Sequence, residues 1–530
     1  MVAGLFKILV ADAIKADGLT PFEGRDDFVV VQKKVDEVPE LETFDALLVR
    51  SATKVTEELL LRMPNLKIVA RAGVGVDNIQ ISACTNRGII VVNAPDGNTI
   101  STAEHTFAMM ASLARNIPQA HQTVKGGLWE RNRFAGIELK DKTLGIIGMG
   151  RIGTEIAKRA RAFQMNVIAF DPFLTVERAK EMGIVLGTLD KLLSTADFIT
   201  VHTPLTKDTK GLLNEENINK CKDGVFLINC ARGGIIDEDA LYNAILGKKV
   251  AGAALDVFVE EPPVANKLLE LDQIIVTPHL GASTAEAQLN VAKQVAKEIV
   301  AFADGMPVSN SINLPAIPAD LFKQIQPYYS LVKQMGSFLS QLQNEGVTEI
   351  SVTYSGDTFD FDSTILTKSL LAQFFKKRVD VNVNEVNAML FAKEQSITIG
   401  EKISTETFGY SNCIKAVVKG EKRQIEMKGT YIKEYGPRII EINGFKIDFY
   451  PEGHILYIQH QDRPGVIGIV GKMLGDLNLN IATMQVGRKE AGGEAIMVLT
   501  FDEILPDNIL NQLMDKQEIS FIQQIELSKQ

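Results

Sequence analysis

The chain has 530 residues, of which 45% are hydrophobic and 23% charged, and its formal net charge is −10. These values are typical of a globular protein and too apolar for a disordered chain, and the length predicts three or four domains of about 150 residues. The acidic balance argues against nucleic acid as a partner, and no apolar run approaches the roughly 20 residues of a membrane span. The first residues indicate a strand rather than a signal peptide, and four scattered cysteines without metal or redox spacing favour the cytoplasm and predict no metal site.

The first 300 residues alternate short apolar runs with amphipathic segments, which is typical of parallel α/β sheets. The predicted strands of the first series are KILVAD (7–12), ALLVRS (46–51), KIVARAG (67–73) and IIVVNAP (89–95). A long helix is predicted from Thr102 through Ala114. TLGIIGMG (143–150) opens a second series, which continues with NVIAFD, DFITVHTP, VFLINCARGG, VAGAALDVF and IIVTPH.

A proline-marked linker, INLPAIP (312–318), separates this half of the chain from a stretch of different composition. Residues 316–450 contain extended runs such as EISVTYSGD and KAVVKGEKRQIEMKGT, one predicted helix near Ser363–Phe375, and no chemical motif. From His454 to the end, the pattern predicts strand, helix, strand, strand, helix, strand, a βαββαβ unit.

A dinucleotide-binding fingerprint follows the first strand of the second series. Gly148, Gly150 and Gly153 form a G-x-G-x-x-G ahead of the helical run TEIAKRARAF. Such glycines permit a tight turn, a close approach to a pyrophosphate and close helix–strand packing, and the helix N-terminus offers free N–H groups to the phosphates. Asp171, 18 residues after Gly153, ends the next strand, where a carboxylate accepts from ribose hydroxyls and repels a 2′-phosphate. The sequence therefore predicts NAD rather than NADP; the alternative is a glycine-rich turn of any α/β protein.

Three residues at strand ends of the second series suit the oxidation of a secondary alcohol. Arg232 lies beside two glycines, and its guanidinium can hold a substrate carboxylate with two hydrogen bonds. His279 in IIVTPHLGAST can take the hydroxyl proton, and Glu261 in DVFVEEPP can orient the imidazole. Each also has a plain alternative: a surface arginine, a structural histidine and a solvated loop acid.

The motifs GMGRIG, NCARGGIIDEDAL, DVFVEEPP and TPHLGAST, in this order, resemble those of the D-isomer-specific 2-hydroxyacid dehydrogenases over roughly residues 4–315. The resemblance implies that Arg232, Glu261 and His279 form the catalytic set. It also implies a homodimer or homotetramer, and a split substrate lobe made of the first hundred residues plus a helix from about Ala285. The implied NAD contacts are Val74, Gly148, Gly150, Arg151, Ile152, Gly153, Asp171, Thr203, Cys230, Arg232, Asp256 and His279.

RSATKV (50–55) and RAGVGVDNIQ (71–80) resemble the phosphoglycerate dehydrogenase branch of this family. The implied substrate contacts are Arg50, Ser51, Arg71, Gly73 and Asn98. A doubly charged phosphate on a small substrate needs guanidinium partners, although both arginines could instead be ordinary strand-end charges. The branch implies NAD-dependent oxidation of 3-phospho-D-glycerate to 3-phosphohydroxypyruvate, the first step of L-serine biosynthesis.

HQDRPGVIGIVGKMLGDLNLNIATMQVGR (460–488) resembles the ACT domain, a small βαββαβ module that binds amino acids at a shared dimer face. The helix after Pro464 and Gly465 leaves N–H groups open to a ligand carboxylate. The implied effector contacts are His460, Asp462 and Asn480, with L-serine as the candidate effector. The alternative is a dimerisation module with a glycine-rich turn.

The expected fold is α/β, with two Rossmann-like doubly wound lobes for substrate and NAD. An α+β intervening domain, as in long-form phosphoglycerate dehydrogenases, and a C-terminal βαββαβ ACT-like domain follow. The predicted domains are 1–98 with 284–315 for substrate, 99–283 for NAD, 316–452 as intervening domain and 453–530 as ACT-like domain. Two other functions stay open: a dehydrogenase for another D-2-hydroxy acid, and a dinucleotide-sensing corepressor, which should carry partner-binding surfaces and need no effector module.

Overall fold

The computed structural model describes residues 5–315, 317, 319–356, 363–379, 381–406 and 408–528. Ala316 and Pro318 of the predicted linker, and the two chain ends of the predicted domains, lie outside the described residues. In the described part of the chain, no helix combines the length and the apolar character that crossing a membrane requires.

The first lobe is built on a five-stranded parallel sheet with the strand order β2-β1-β3-β4-β5. Its elements are β1 (Phe6–Val10), β2 (Phe28–Gln32), β3 (Ala46–Val49), α1 (Glu57–Leu61), β4 (Ile68–Arg71), α2 (Ile81–Asn86) and β5 (Ile90–Val92). The four predicted strands of this series are all present. The additional strand, β2, lies at the sheet edge and is only partly buried, although its sequence FVVVQ is an apolar run like those of the other strands.

Two helices lie between the last strand of the first lobe and the first strand of the second lobe. The helices are α3 (Thr99–Ala114), predicted from Thr102, and α4 (Ile117–Lys125). The strands of the second lobe are β6 (Thr143–Ile147), β7 (Asn166–Phe170), β8 (Val185–Leu186), β9 (Phe198–Val201), β10 (Val225–Asn229), β11 (Val250–Leu255) and β12 (Ile274–Val276). Its helices are α5 (Arg151–Ala162), α6 (Val176–Glu181), α7 (Leu189–Thr195), α8 (Glu215–Lys220) and α9 (Glu238–Leu246).

The second sheet is parallel throughout, with the strand order β12-β11-β10-β9-β6-β7-β8. The order reverses between β6 and β9, and ligands of such sheets bind in the crevice outside the carboxyl ends of the strands at that point. The glycine fingerprint directly follows β6 and therefore lies at this crevice.

The chain then returns to the first lobe through α10 (Ala285–Ala303). Thr284 caps this helix by accepting a hydrogen bond from the Ala287 N–H at 3.1 Å. Val295 and Ile299 of α10 share a buried core with Ile8 and Val10 of β1. The first lobe is thus assembled from two separate segments of the chain: the one that carries β1 to β5, and α10.

The C-terminal half forms two further sheets. The six-stranded sheet has the order β14-β13-β15-β16-β17-β18, and the four-stranded sheet, which we call the ACT-like sheet, has the order β20-β21-β19-β22. The strands are β13 (Val347–Ser355), β14 (Thr398–Ser404), β15 (Cys413–Gly420), β16 (Gln424–Ile432), β17 (Gly436–Ile442), β18 (Phe445–Phe449), β19 (Gly453–Gln461), β20 (Ile481–Arg488), β21 (Glu494–Phe501) and β22 (Ile519–Leu527). The helices are α11 (Ala319–Leu342), α12 (Thr364–Lys376), α13 (Ala388–Glu394), α14 (Val466–Asp476) and α15 (Asp507–Met514).

The prediction of a single helix between residues 316 and 450 is wrong. The predicted segment near Ser363–Phe375 forms α12, but α11 and α13 are helical as well. Leu331, Met335 and Phe338 of α11 are fully buried, because this helix lies between the six-stranded sheet and the ACT-like sheet. Its apolar residues recur at helical spacing, but Pro327 lies inside the helix, and a proline within such a pattern predicts a break rather than a continuous helix.

The ACT-like sheet confirms the predicted βαββαβ order, and its two faces have different neighbours. Along β19, Ile455 and Tyr457 point into the core that contains α11, whereas Leu456 and Ile458 pack with α14 and α15. The Gln341 side chain of α11 also exchanges two hydrogen bonds with the backbone of Glu526 in β22, each of 2.9 Å. The six-stranded sheet and the ACT-like sheet therefore share one core, while their division near residue 453 stays a prediction.

Candidate active site

A cavity of about 350 Å³ lies between the two lobes and gathers most of the predicted catalytic and substrate residues. Its lining includes Arg50, Ser51, Arg71, Gly73, Val74, Asn98, Arg232, Glu261 and His279. Two larger cavities, of about 560 and 680 Å³, lie elsewhere in the described part of the chain, but neither is lined by a histidine. The interlobe cavity is therefore the candidate active site.

His279 and Glu261 form a hydrogen-bonded pair at the wall of this cavity. His279 Nδ1 lies 2.9 Å from Glu261 Oε2, and the other carboxylate oxygen, Oε1, accepts from the Phe258 N–H at 3.1 Å. Because a carboxylate only accepts, the proton of the first contact belongs to Nδ1. In the neutral imidazole, Nε2 then carries the lone pair that a proton acceptor requires.

Arg232 reaches across the cleft to an acid of the first lobe. Its Nε lies 3.3 Å from Asp77 Oδ2, and its Nη1 donates to the Ala231 carbonyl at 2.7 Å. A side chain at Gly75 would place its Cβ only 1.9 Å from Arg232 Nη2. Glycine at this position thus permits the close approach of the guanidinium to the first lobe.

Arg50 and Arg71 come from neighbouring strand ends of the first lobe. The Arg50 N–H donates to the buried Asp12 carboxylate at 2.6 Å, which fixes the loop after β3. Burial and the nearby Arg232 guanidinium lower the pKa of Arg71. The Nε of Arg71 is buried and has no hydrogen-bond partner among the described residues. An anionic ligand in this cavity would supply the missing acceptor and relieve the repulsion between the cations.

The glycine turn after β6 leaves room for a pyrophosphate. Gly148 has a φ of +94°, and a Cβ at Gly153 would lie 2.1 Å from the Gly148 carbonyl oxygen. A Cβ at Gly150 meets nothing within 4 Å, so this edge of the turn faces open space at the N-terminus of α5. Thr203 Oγ1, beside Gly148, is buried without a partner in the described chain. These features fit a dinucleotide.

Asp171 and Arg151 flank this turn. Each Asp171 carboxylate oxygen accepts one backbone N–H, from Met149 and from Phe173, at 2.7 Å. These two bonds fix the orientation of the carboxylate and leave each oxygen a further lone pair for a ribose hydroxyl. Arg151 Nε lies 2.5 Å from Asp96 Oδ1, in the segment that joins the first lobe to α3.

Asp256 lies at the end of β11 and is only 1% exposed. Burial alone raises the pKa of a carboxyl, but hydrogen bonds from His105, Thr277 and the Leu280 and Gly281 N–H groups outweigh it, so the pKa of Asp256 is lowered. Burial raises the pKa of the nearby Cys230 thiol to about 12. Atoms of His105, Cys230 and Asp256 lie within 4.8 Å of one another, but both Asp256 oxygens already accept hydrogen bonds, so the cluster is a hydrogen-bond network.

The predicted effector residues lie in the ACT-like sheet and beside it, apart from the interlobe cavity. His460 is buried, and its Nδ1 donates to the Gln461 carbonyl at 2.8 Å, while its Nε2 has no partner among the described residues. Asp462 Oδ2 accepts from Arg488 Nη1 at 2.9 Å and from the Gly492 N–H at 3.1 Å. The Gly492 N–H and the Arg488 guanidinium lower the pKa of Asp462. Asn480 is exposed.

Sequence reasoning missed three residues that hold the site together. They are Asp12, which fixes the Arg50 loop, Asp77, which pairs with Arg232, and His105, which contacts Asp256. Asp12 and Asp77 follow predicted strands of the first series, so their position at strand ends was a usable signal. His105 lies within α3, where nothing local distinguishes it from a structural histidine.

Comparison with known families gives three matches along the chain. The family model described as D-isomer specific 2-hydroxyacid dehydrogenase, NAD binding domain, matches residues 107–281. The D-3-phosphoglycerate dehydrogenase intervening domain matches residues 324–443, and the ACT domain matches residues 454–516. These matches confirm the predicted fold class and the NAD cofactor of the second lobe.

Two relatives resemble the chain over almost its whole length. It is 57% identical over 524 residues to the D-3-phosphoglycerate dehydrogenase of Bacillus subtilis (strain 168), covering 99% of this chain and 100% of the relative. It is 44% identical over 514 residues to the D-3-phosphoglycerate dehydrogenase of Archaeoglobus fulgidus, covering 96% and 97%. A solved D-lactate dehydrogenase from Aquifex aeolicus, complexed with NAD and lactic acid, is 34% identical with a TM-score of 0.52, covering 58% of this chain and 100% of that one.

The burial of His202, beside the glycine turn, predicts a pH dependence of stability. Burial lowers the pKa of His202 from its ordinary value of 6.5 to about 3, so the folded protein keeps this imidazole neutral. An unfolded histidine takes up a proton as the pH falls below about 6.5. The stabilising contribution is therefore complete above that pH and declines as the pH falls toward about 3.

Urea unfolding of wild type and His202→Gln at about pH 7.5 and pH 5 checks this prediction. The free energy of unfolding should fall less between the two pH values in the variant than in wild type. His454→Gln, at a position of β19 outside the cleft and outside α4, is the matched control and should behave as wild type. An equal loss in all three proteins would contradict the prediction.

Proposed function

This chain belongs to the D-3-phosphoglycerate dehydrogenase family, and from that premise we propose which of its residues carry the reaction. The enzyme oxidises 3-phospho-D-glycerate to 3-phosphohydroxypyruvate with NAD, which is the first step of L-serine biosynthesis from this substrate. Likeness over the full length favours this activity over the two alternatives, another D-2-hydroxy acid or a corepressor role. The observation that carries our assignment is the 2.9 Å contact of His279 with Glu261 in a cavity lined by three arginines.

His279 is the general base of the proposed mechanism. Its Nε2 lone pair takes the proton of the substrate's C2 hydroxyl as the alcohol becomes a ketone. Glu261 accepts from Nδ1–H and stabilises the imidazolium that forms, and the Phe258 N–H keeps the Glu261 carboxylate in place. Glu261 therefore supports the base without itself receiving the substrate proton.

The arginines bind the two anionic groups of the substrate. Arg232 holds the carboxylate and the oxygen that becomes the ketone, which requires its guanidinium to exchange Asp77 for the substrate. Arg50 and Arg71 bind the phosphate, with Ser51, Gly73 and Asn98 at the same wall of the cavity. The unpartnered Nε of Arg71 supports this assignment, because a dianionic phosphate supplies the acceptor that it lacks.

The second lobe presents the cofactor to this cavity. When bound, NAD would supply the acceptor for the hydride that leaves C2 of the substrate. Gly148, Gly150 and Gly153, with Arg151 and Ile152, hold the pyrophosphate at the N-terminus of α5. Asp171 accepts from the ribose hydroxyls. The remaining proposed contacts are Val74, Thr203, Cys230, Asp256 and His279.

We also propose that the enzyme is a homodimer or homotetramer in the cytoplasm. Ile117 and Val124 of α4, with Leu128 and Trp129 after it, are exposed apolar side chains, and Trp129 is 78% exposed. A second copy of this chain is the proposed occupant of this patch, since exposed apolar side chains that cluster favour association. The four cysteines are unpaired and buried, which suits a reducing compartment.

The ACT-like sheet is the proposed site of feedback control by L-serine. The effector's amine pairs with Asp462, its carboxylate binds near Gly465, and Asn480 contributes from a second chain. In this structure Asp462 already accepts from Arg488 and Gly492, so an amine would have to share or replace those donors. Binding inhibits only to the extent that it favours an arrangement of the lobes in which the cleft does not close over the substrate.

The proposed phosphate contacts predict a change in substrate preference. The rate of NADH formation should be far higher with 3-phospho-D-glycerate than with D-glycerate. Arg71→Leu should lower kcat/KM for the phosphorylated substrate by about 10- to 100-fold, because a charge-assisted hydrogen bond contributes about 1.5–3 kcal/mol, and should change the D-glycerate rate much less. Arg62→Leu, an exposed arginine outside the cavity, is the control. Equal losses with both substrates would contradict the phosphate assignment.

The proposed base predicts a loss of turnover without a loss of cofactor binding. His279→Ala should reduce kcat by about 100- to 10,000-fold, the range for the loss of a general base. The Kd for NADH should stay near wild type, because His279 is only one of many proposed cofactor contacts and the glycine turn and Asp171 are unchanged. Stopped-flow absorbance and NADH fluorescence titration measure the two quantities. A near-normal kcat in this variant would remove His279 from the mechanism.

The proposed effector site predicts that L-serine inhibits mainly through kcat. Calorimetry on the intact protein should record binding of L-serine, and Asp462→Ala or Asn480→Ala should weaken both binding and inhibition. Asp476→Ala, an exposed acid at the end of α14, is the matched control. Absence of both heat and inhibition at millimolar serine would leave the ACT-like sheet with assembly as its role.

A further inference from the structure

The backbone of the proposed base adopts a conformation that its surroundings must hold. His279 has a φ of +56°, in the left-handed region that residues with a side chain seldom occupy. Such a residue persists only where neighbouring contacts fix the chain on both sides of it. The contacts that fix this loop therefore set the direction in which the imidazole points.

Asp256 supplies most of these contacts. The His279 N–H donates to the Asp256 backbone carbonyl at 2.9 Å. The next two N–H groups, of Leu280 and Gly281, donate to the two Asp256 carboxylate oxygens at 2.7 and 2.9 Å. The Thr277 hydroxyl donates to Asp256 Oδ1 at 2.6 Å. The carboxylate is thus surrounded by the loop that carries His279.

His105 completes this network from α3. Its Nε2 lies 3.2 Å from Asp256 Oδ1 and 3.1 Å from Thr277 Oγ1. The Thr277 hydroxyl proton is already directed to Asp256, and the carboxylate only accepts, so the shared proton belongs to His105 Nε2. His105 is therefore a donor to a buried acid that has no solvent to take the place of a lost hydrogen bond.

We propose that His105 is a positioning residue for His279, acting through the Asp256 carboxylate. This inference rests on the proposed function of His279 as the base. The His105 N–H holds the carboxylate in the orientation in which both its oxygens receive the N–H groups after His279. Without that donor, the carboxylate rotates toward other partners, the loop shifts, and Nε2 of His279 leaves the line to the substrate hydroxyl.

A second side chain of α3 contacts the same loop as His105. Thr102, one helical turn earlier, donates from its hydroxyl to the Gly281 carbonyl at 3.1 Å, so two side chains of α3 contact the same loop. α3 begins directly after Asn98, which lines the substrate cavity. α3 therefore holds the loop of His279 at two points, through His105 and Thr102.

Three substitutions of His105 distinguish the effect of losing the hydrogen-bond donor at Nε2 from the effect of losing side-chain volume. In His105→Gln the amide nitrogen can occupy the place of Nε2 and donate to Asp256, whereas in His105→Asn it reaches only as far as Nδ1, and His105→Leu cannot donate. We expect kcat to fall about tenfold or more in the Asn and Leu variants, since a small displacement of a catalytic group lowers the rate by up to about 100-fold. The KM for 3-phospho-D-glycerate should stay within about threefold of wild type. His105→Gln should restore kcat to within about threefold of wild type. His454→Asn, in β19 and outside the cleft, is the control for the loss of a histidine.

A double-mutant cycle distinguishes positioning from a purely structural role. When His279→Ala has removed the base, adding His105→Asn should lower the residual rate by less than about twofold, because there is no imidazole left to position. A structural role predicts the same fold loss in both backgrounds, and that result, or a normal kcat in His105→Asn, overturns the inference. Normal activity in His279→Ala alone would instead overturn the proposed base.

Discussion

The carboxyl ends of both parallel sheets face one cleft, and the placement of the proposed catalytic side chains depends on that constraint. Arg50 follows β3 and Arg71 ends β4 on one side, while the loops after β10 and β12 carry Arg232 and His279 on the other. Parallel strands require long crossover connections, so residues far apart in sequence reach the same edge. The fingerprint glycines after β6 obey the same rule, which brings the dinucleotide turn to the cleft that holds the base.

Charge gives this cleft its selectivity. Three guanidiniums line a cavity of about 350 Å³, and burial together with Arg232 lowers the pKa of Arg71. Asp77 pairs with Arg232, and the buried Asp12 holds the backbone that presents Arg50. A substrate with a phosphate and a carboxylate relieves the repulsion among these cations, whereas a substrate with one carboxylate leaves part of it in place. In the proposed binding mode, selectivity for a substrate with two anionic groups therefore follows from electrostatics.

The C-terminal half behaves as one packed unit because α11 is buried between two sheets. Core side chains of α11 and β19 belong to the same cluster, and Gln341 bonds to the backbone of β22. The unit meets the first lobe where Asn384 donates to the Gly88 carbonyl at 2.7 Å. A ligand at the ACT-like sheet therefore affects the cleft only by changing how this whole unit lies against the first lobe, since packed cores shift as rigid bodies.

The sequence by itself determined the alternating strands of both lobes, the NAD fingerprint with Asp171, the βαββαβ order at the end and the catalytic candidates. Each of these depends on local pattern: buried parallel strands are continuous apolar runs, and a dinucleotide turn needs glycines at fixed spacing. The edge strand β2 was missed although FVVVQ is an apolar, β-branched run, and the helix α11 was missed because it contains Pro327, which predicts a break in a helix. Tertiary structure alone decided that Asp77 faces Arg232 and that His105 and Asp256 hold the loop of His279, because these partners are brought together by the docking of α3 and the two lobes. Sequence spacing fixes which residues reach a strand end, but only the packing of separate elements determines which side chains meet across it.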